Sequence, residues 1–225
     1  MKALLPILSL LILFGESLNA QTQRIVLVEH FTNTECGICS FKNPKLHETL
    51  SAYEGRVHHI SYHPPYPYED CVFYLANKTG NQIRANYYSV PASPRAYIDG
   101  VKTSGSDLVT EAALDAALAV GSNIELIVEE DMENNTATIK LRNTSEDAPD
   151  SLKLFVALVE ASIAYNSPNG EKDHYNVFRQ FINTDGAAGQ SIGTPAKDEQ
   201  LSFDYTFDLN SEWVKEEMYV LVIVQ

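Results

Sequence analysis

Apolar and polar positions follow two rhythms along the chain, and the change falls near residue 121. Residues 24–31 (RIVLVEHF) form a short β-branched run of the kind that makes a buried parallel strand. The polar residues Thr32, Asn33, Thr34 and Glu35 suit a turn and a helix N-cap, which puts Cys36 at the first helical turn. Phe41, Leu46 and Leu50 are expected to give that helix its apolar face, and Pro44 to kink it. A second strand over residues 56–62 (RVHHISY) ends abruptly at Pro64, Pro65 and Pro67, and residues 68–88 read as mainly helical. Residues 95–98 then predict a strand, Asp99-Gly100 a hairpin turn and residues 101–103 its partner. Ser106 or Asp107 is expected to cap a helix through EAALDAALAV that Gly121 stops.

Beyond Gly121 helix signals nearly vanish. Residues 124–129, 136–142, 152–160, 201–209 and 219–224 read as strands separated by Asn, Asp, Gly and Pro turns. The expected architecture is an α/β domain over residues 21–120 and an all-β, immunoglobulin-like sandwich over residues 121–225. The first is expected to fold without the second, and Gln225 falls inside or just after an apolar strand, so the second domain reads either as truncated at its C-terminus or as ending on an edge strand.

The N-terminus adds a compartment. Lys2, the apolar residues 3–14 and the stretch ending in Leu18-Asn19-Ala20 have the layout of a secretory signal peptide over residues 1–20. The run is shorter than the roughly 20 residues a spanning helix needs. With the first cysteine at Cys36, no thiol near the cleavage point can take a lipid, so membrane attachment would have to come through a partner. The formal net charge of −14 argues against nucleic acid or anionic lipid as ligands, because phosphate is bound by clustered Lys and Arg.

Three cysteines, Cys36, Cys39 and Cys71, are too few and too unevenly spaced for a disulfide framework and read instead as a site. A helix N-terminus presents unpaired N–H groups and partial positive charge, which stabilise a thiolate on Cys36. Cys39, one turn on, is placed to resolve a mixed disulfide. The same spacing is half a zinc site, but zinc needs further ligands; His47 is the nearest, and no second Cys pair exists. Cys71 is left as an unpaired thiol, either free and buried or a third exchange partner on the same end of the sheet.

The stretch Val28-Glu29-His30-Phe31, four residues, then Cys36-Gly37-Ile38-Cys39 resembles the active-site strand and motif of the thioredoxin superfamily. Pro44 falls where that family kinks its active-site helix, and residues 88–100 (YSVPASPRAYIDG) resemble its cis-proline segment with Pro94 in that role. The resemblance implies Cys36, Cys39 and Pro94 in catalysis. It also implies that Ser93 pairs as backbone with a substrate strand, with Gly37 and Ile38 facing that substrate. His30 stands where the family keeps a buried acid that handles the resolving thiol's proton, and a histidine there is either a base or a buried strand residue. Glu35 replaces the tryptophan usual before the first cysteine.

Over the whole mature chain, Leu158-Val159-Glu160 and His174-Tyr175-Asn176-Val177-Phe178-Arg179 resemble the twenty-eight-kilodalton outer-membrane protein family of Bacteroidetes, which implies a periplasmic, outer-membrane or surface location. His174 and Arg179 read as a salt bridge or turn anchor. The run His58-His59-Ile60-Ser61-Tyr62-His63 puts His59 and His63 on one strand face, poorly spaced for one tetrahedral ion. Tyr62, Tyr66, Tyr68, Phe73 and Tyr74 read as packing. Two functions remain open: thiol–disulfide exchange with envelope proteins, needing no bound cofactor or metal, or a surface binding protein with an inert disulfide.

Overall fold

The computed structural model describes residues 24–146, 151–193 and 195–225, so the signal-peptide expectation lies outside the described residues. Strands β1 (Val26–Phe31) and β2 (Val57–Tyr62) run parallel, in register Val28 to His59 and His30 to Ser61. Parallel neighbours need a long crossover, which is α1 (Gly37–Ser51) with Pro44 inside it. The expected helical stretch is broken into α2 (Val72–Ala76) and α3 (Lys78–Tyr87). β3 (Arg95–Ile98) returns antiparallel to β1 and turns through Asp99 and Gly100, at φ 47° and 82°, into β4 (Val101–Lys102). Two successive positive φ values make the turn whose twist matches a two-residue hairpin. The cap of α4 (Glu111–Leu118) is Thr110, whose hydroxyl accepts the Ala113 N–H at 3.3 Å, rather than Ser106 or Asp107. Leu108 and Val109 are buried first, and the helix begins only after them.

Seven strands follow: β5 (Ile124–Asp131), β6 (Thr136–Asn143), β7 (Lys153–Ala164), β8 (Asp173–Phe181), β9 (Gln190–Ser191), β10 (Gln200–Thr206) and β11 (Met218–Val224). Only β5, β6 and β10 form a sheet of their own. The others extend the first sheet, whose order is β11-β7-β8-β2-β1-β3-β4 with β9 on β7. The joint is a parallel contact of β2 with β8 at Ser61 and Val177, reinforced by the Ser61 hydroxyl, which donates to the Tyr175 carbonyl at 3.0 Å. The described residues after 121 therefore do not close on themselves as the expected immunoglobulin-like sandwich, because one hydrogen-bonded sheet crosses that position.

The cause is written in β7, which is buried continuously from Leu154 to Glu160 and so needs cover on both faces. Phe155, Ala157 and Val159 join Phe31, Ile60, Tyr62, Ala85 and Phe178 in one core. Leu154, Val156 and Leu158 face Ala137, Ile139, Phe207 and Val220 in another, beneath the small sheet. Burying one such large side chain is worth about 1.5–3 kcal/mol, so β7 binds both layers. A third core, with Val26, Val28, Leu46, Ile98 and Leu114, lies under α1 and α4.

Candidate active site

At the carboxyl end of β1 the chain leaves the sheet through Thr32-Asn33-Thr34-Glu35. Asn33 folds this loop: its carboxamide oxygen accepts the Glu35 N–H at 3.0 Å, and its carbonyl accepts the Cys36 N–H at 3.1 Å. Its amide nitrogen donates to the Pro64 and Tyr68 carbonyls at 3.1 and 2.9 Å, tying in the proline-rich segment after β2. Cys36 becomes the N-cap of α1, with φ −86° and ψ 107°. Its Sγ accepts the Cys39 N–H at 3.1 Å, the capping geometry in which a helix terminus stabilises negative charge on sulfur.

Cys36 and Cys39 are joined as a disulfide, Cα to Cα 5.2 Å. Cys36 is 3% exposed and Cys39 fully buried, so any approach from outside meets Cys36 first. The Ser93–Pro94 peptide is cis, and the Ser93 carbonyl oxygen lies 3.9 Å from Cys36 Sγ. Gly37 is open, with no atom within 4 Å of where a Cβ would stand. Ile38 is 63% exposed and Phe41 83%, so Phe41 does not belong to the buried helix face expected of it. From Phe41 to Leu46 is five residues, about 140° around the helix, and Leu46 faces the core while Phe41 faces out.

His30 is buried on the α1 side of β1. Its ring stands 5.6 Å from that of His59 and 6.5 Å from that of His47, and the last two are 5.4 Å apart. Burial, and then the neighbouring His47 and His63, hold His30 well below the ordinary histidine range, against a smaller raising effect of Asn43. His59 is lowered by burial and then by His47 and His30, and His63 by burial and then by His174, Arg179 and His59. His47 is lowered to about 4, by burial and then by His174. All four are neutral at neutral pH, and neither ring nitrogen of His30 has a hydrogen-bond partner among the described residues. No group of three His, Cys, Asp or Glu among the described residues is arranged to hold a metal ion.

Of the two readings of Cys71, the structure shows the free and buried one, close to the cysteine loop; the hairpin that also reaches this loop was not apparent in the sequence. Cys71, buried and unpaired, accepts the Thr34 N–H on its sulfur at 3.5 Å and so supports the loop before Cys36. The tip of the β7–β8 hairpin reaches the same loop: the Asn169 N–H donates to the Thr34 carbonyl at 3.1 Å, and its amide nitrogen to the Cys36 and Asn33 carbonyls at 3.2 and 3.3 Å. His174 is bound to Ser167 Oγ at 2.8 Å, and Arg179 forms an ion pair with Glu160 at 2.6 Å, so these two residues anchor β8.

No protein-family model matches the chain, and no curated protein matches it. Among solved structures, HBP35 of Porphyromonas gingivalis superposes with a TM-score of 0.71 at 18% identity, covering 90% of this chain and 69% of that one. A crystal structure of an Agrobacterium tumefaciens protein superposes with a TM-score of 0.58 at 16% identity, covering 83% of this chain and 80% of that one. At these identities the likeness is one of fold.

Proposed function

We propose that this is an exported, thioredoxin-like protein of the bacterial cell envelope that exchanges disulfides through Cys36 and Cys39. The observation that carries the reading is the capping geometry: a cysteine at the N-cap of α1, its sulfur receiving the Cys39 N–H at 3.1 Å and bonded to Cys39, beside the Ser93 carbonyl. In the reduced protein the Cys36 thiolate attacks one sulfur of a substrate disulfide, forming a mixed disulfide and releasing the other sulfur as a thiolate that takes up a proton. The Cys39 thiol loses its proton and attacks Cys36 Sγ, expelling the second substrate thiol and closing the Cys36–Cys39 disulfide. Two electrons pass to the substrate, and the reverse sequence oxidises a dithiol. Ser93 before Pro94 would pair with the substrate as an added strand, with Gly37 and Ile38 beside it. His30 stands where the resemblance puts the acceptor of the Cys39 proton, but burial lowers its basicity, which makes it a weak base for that step.

The envelope location is supported by the signal-like residues 1–20. No described helix is long and apolar enough to cross a membrane. The rival reading, a binding protein with an inert disulfide, draws on the near-complete burial of both sulfurs. Insulin reduction by dithiothreitol separates the two. The protein without residues 1–20 should accelerate it, and Cys36→Ser should abolish the acceleration; equal rates for the two proteins would overturn the exchange reading.

A further inference from the structure

We propose that the tip of the β7–β8 hairpin is a positioning element of the cysteine site, Asn169 holding the loop before Cys36 and Glu171 the helix behind it. The inference builds on the reading of Cys36 as the attacking thiolate. It explains why a hairpin far along the chain should be spent on this loop.

Asn169 satisfies three carbonyls of the turn that delivers Cys36, those of Asn33, Thr34 and Cys36 itself. A donor on the Cys36 carbonyl fixes the Cys36–Gly37 peptide plane, and with it the first turn in which the Cys39 N–H reaches Cys36 Sγ. Asn169 is held in turn by Glu171, whose carboxylate accepts from the Asn169 amide at 2.7 Å and whose N–H donates to the Asn169 carboxamide oxygen at 3.1 Å. The other carboxylate oxygen of Glu171 accepts from the Asn43 amide at 2.8 Å. Asn43 sits on α1 one turn beyond Cys39 and also donates to Thr32 Oγ1 at 2.9 Å, so the same clamp closes on the end of β1. The first turn of α1 has no acid of its own. Glu171 therefore brings a carboxylate from the second half of the chain to the positive end of this helix, where an anion opposes a second anion on Cys36.

The two residues should act in opposite directions. Loss of Asn169 frees the turn, so the thiolate is less well stabilised; neutralising Glu171 removes an opposing charge, so it is better stabilised. The test is the rate at which Cys36 attacks 5,5′-dithiobis(2-nitrobenzoate) at pH 7, with the thiolate absorbance followed against pH, in the Cys39→Ser protein lacking residues 1–20. Asn169→Ala should raise the thiol pKa and slow attack roughly two- to fivefold, the scale of a helix-terminus contribution. Glu171→Gln should lower the thiol pKa, and Lys172→Ala on the same hairpin should change neither quantity. Should Asn169→Ala fail to fold, Asn169→Ser shortens the side chain while keeping it polar and is read in its place. Variants that change only the melting temperature, or that shift the thiol in the same direction, overturn the inference. A parent thiol no more acidic than about 8.5 overturns the exchange reading instead, and the variant shifts still decide the role of the hairpin.

Discussion

The two faces of the β1–β2 pair bury polar groups in different ways. Under α3, Glu29 and Arg84 are both fully buried and form an ion pair at 2.6 Å, with Tyr88 donating to the second Glu29 oxygen. Arg84 also donates to the Gln225 side chain at 2.8 Å and lies 4.4 Å over the Phe155 ring. Under α1, His30 and His59 are buried beside His47, with no carboxylate paired to them among the described residues, and burial keeps them neutral at neutral pH. A buried charge is tolerated when paired, and a buried base when it gives up its proton. The first solution fastens β1 to α3 and to the end of β11. The second leaves histidines that carry no charge at neutral pH beneath the helix that holds the cysteines.

The comparison breaks most severely if the paired face loses its far side. A chain ending near Gly121 lacks Phe155, Phe178 and Gln225 and exposes Phe31, Ile60 and Tyr62. It should show no cooperative heat transition by circular dichroism, whereas a sharp transition would mean that residues 24–120 hold a core of their own. A smaller break is Arg84→Ala, which leaves Glu29 buried and unpaired and should cost about 3–5 kcal/mol in urea unfolding. Arg84→Met with Glu29→Leu should recover much of that loss; equal losses in the single and double variants would deny the pairing.

The gentlest probe is acid, which touches the other face. His30, His47, His59 and His63 have folded values below the ordinary 6.5, about 4 for His47, so between those limits the unfolded chain binds more protons than the folded one. Stability should be complete above about pH 7, fall as the pH drops through 6.5, and go on falling toward 4. Urea midpoints at pH 7.5, 6 and 5 measure this, and Gln at His59 should flatten the slope. A flat profile in the parent protein would show these histidines to be hydrated.

Much of the first half was legible because its signals are local: the apolar run of β1, the turn that opens α1 and the Asp99-Gly100 hairpin need no distant partner, although the N-cap is Cys36 itself and not one of the polar residues before it, and Pro94 stood out only through the family resemblance. Strand β8 was not legible as a strand. Its sequence DHYNVFRQF mixes polar and apolar positions, and His174 and Arg179 are buried there only because Ser167 and Glu160 receive them. Without β8, nothing in the sequence joins β2 to β7, and the second half looks like a domain apart. Phe41 differs for another reason: its angular position on α1, away from Leu46, puts it outside the buried face. The reach of Asn169 to Cys36 spans 133 residues and has no sequence signature.

The central claim is that the Cys36–Cys39 bond is a working redox couple in the folded protein. Equilibrating the protein without residues 1–20 in graded mixtures of reduced and oxidised dithiothreitol, then trapping thiols for mass analysis, tests it directly. Cys36 and Cys39 should appear together in one two-electron step at a potential above about −300 mV, with Cys71 protected. A bond that resists reduction until the protein is denatured, or that titrates well below that potential, would mark it as a structural staple and contradict the account.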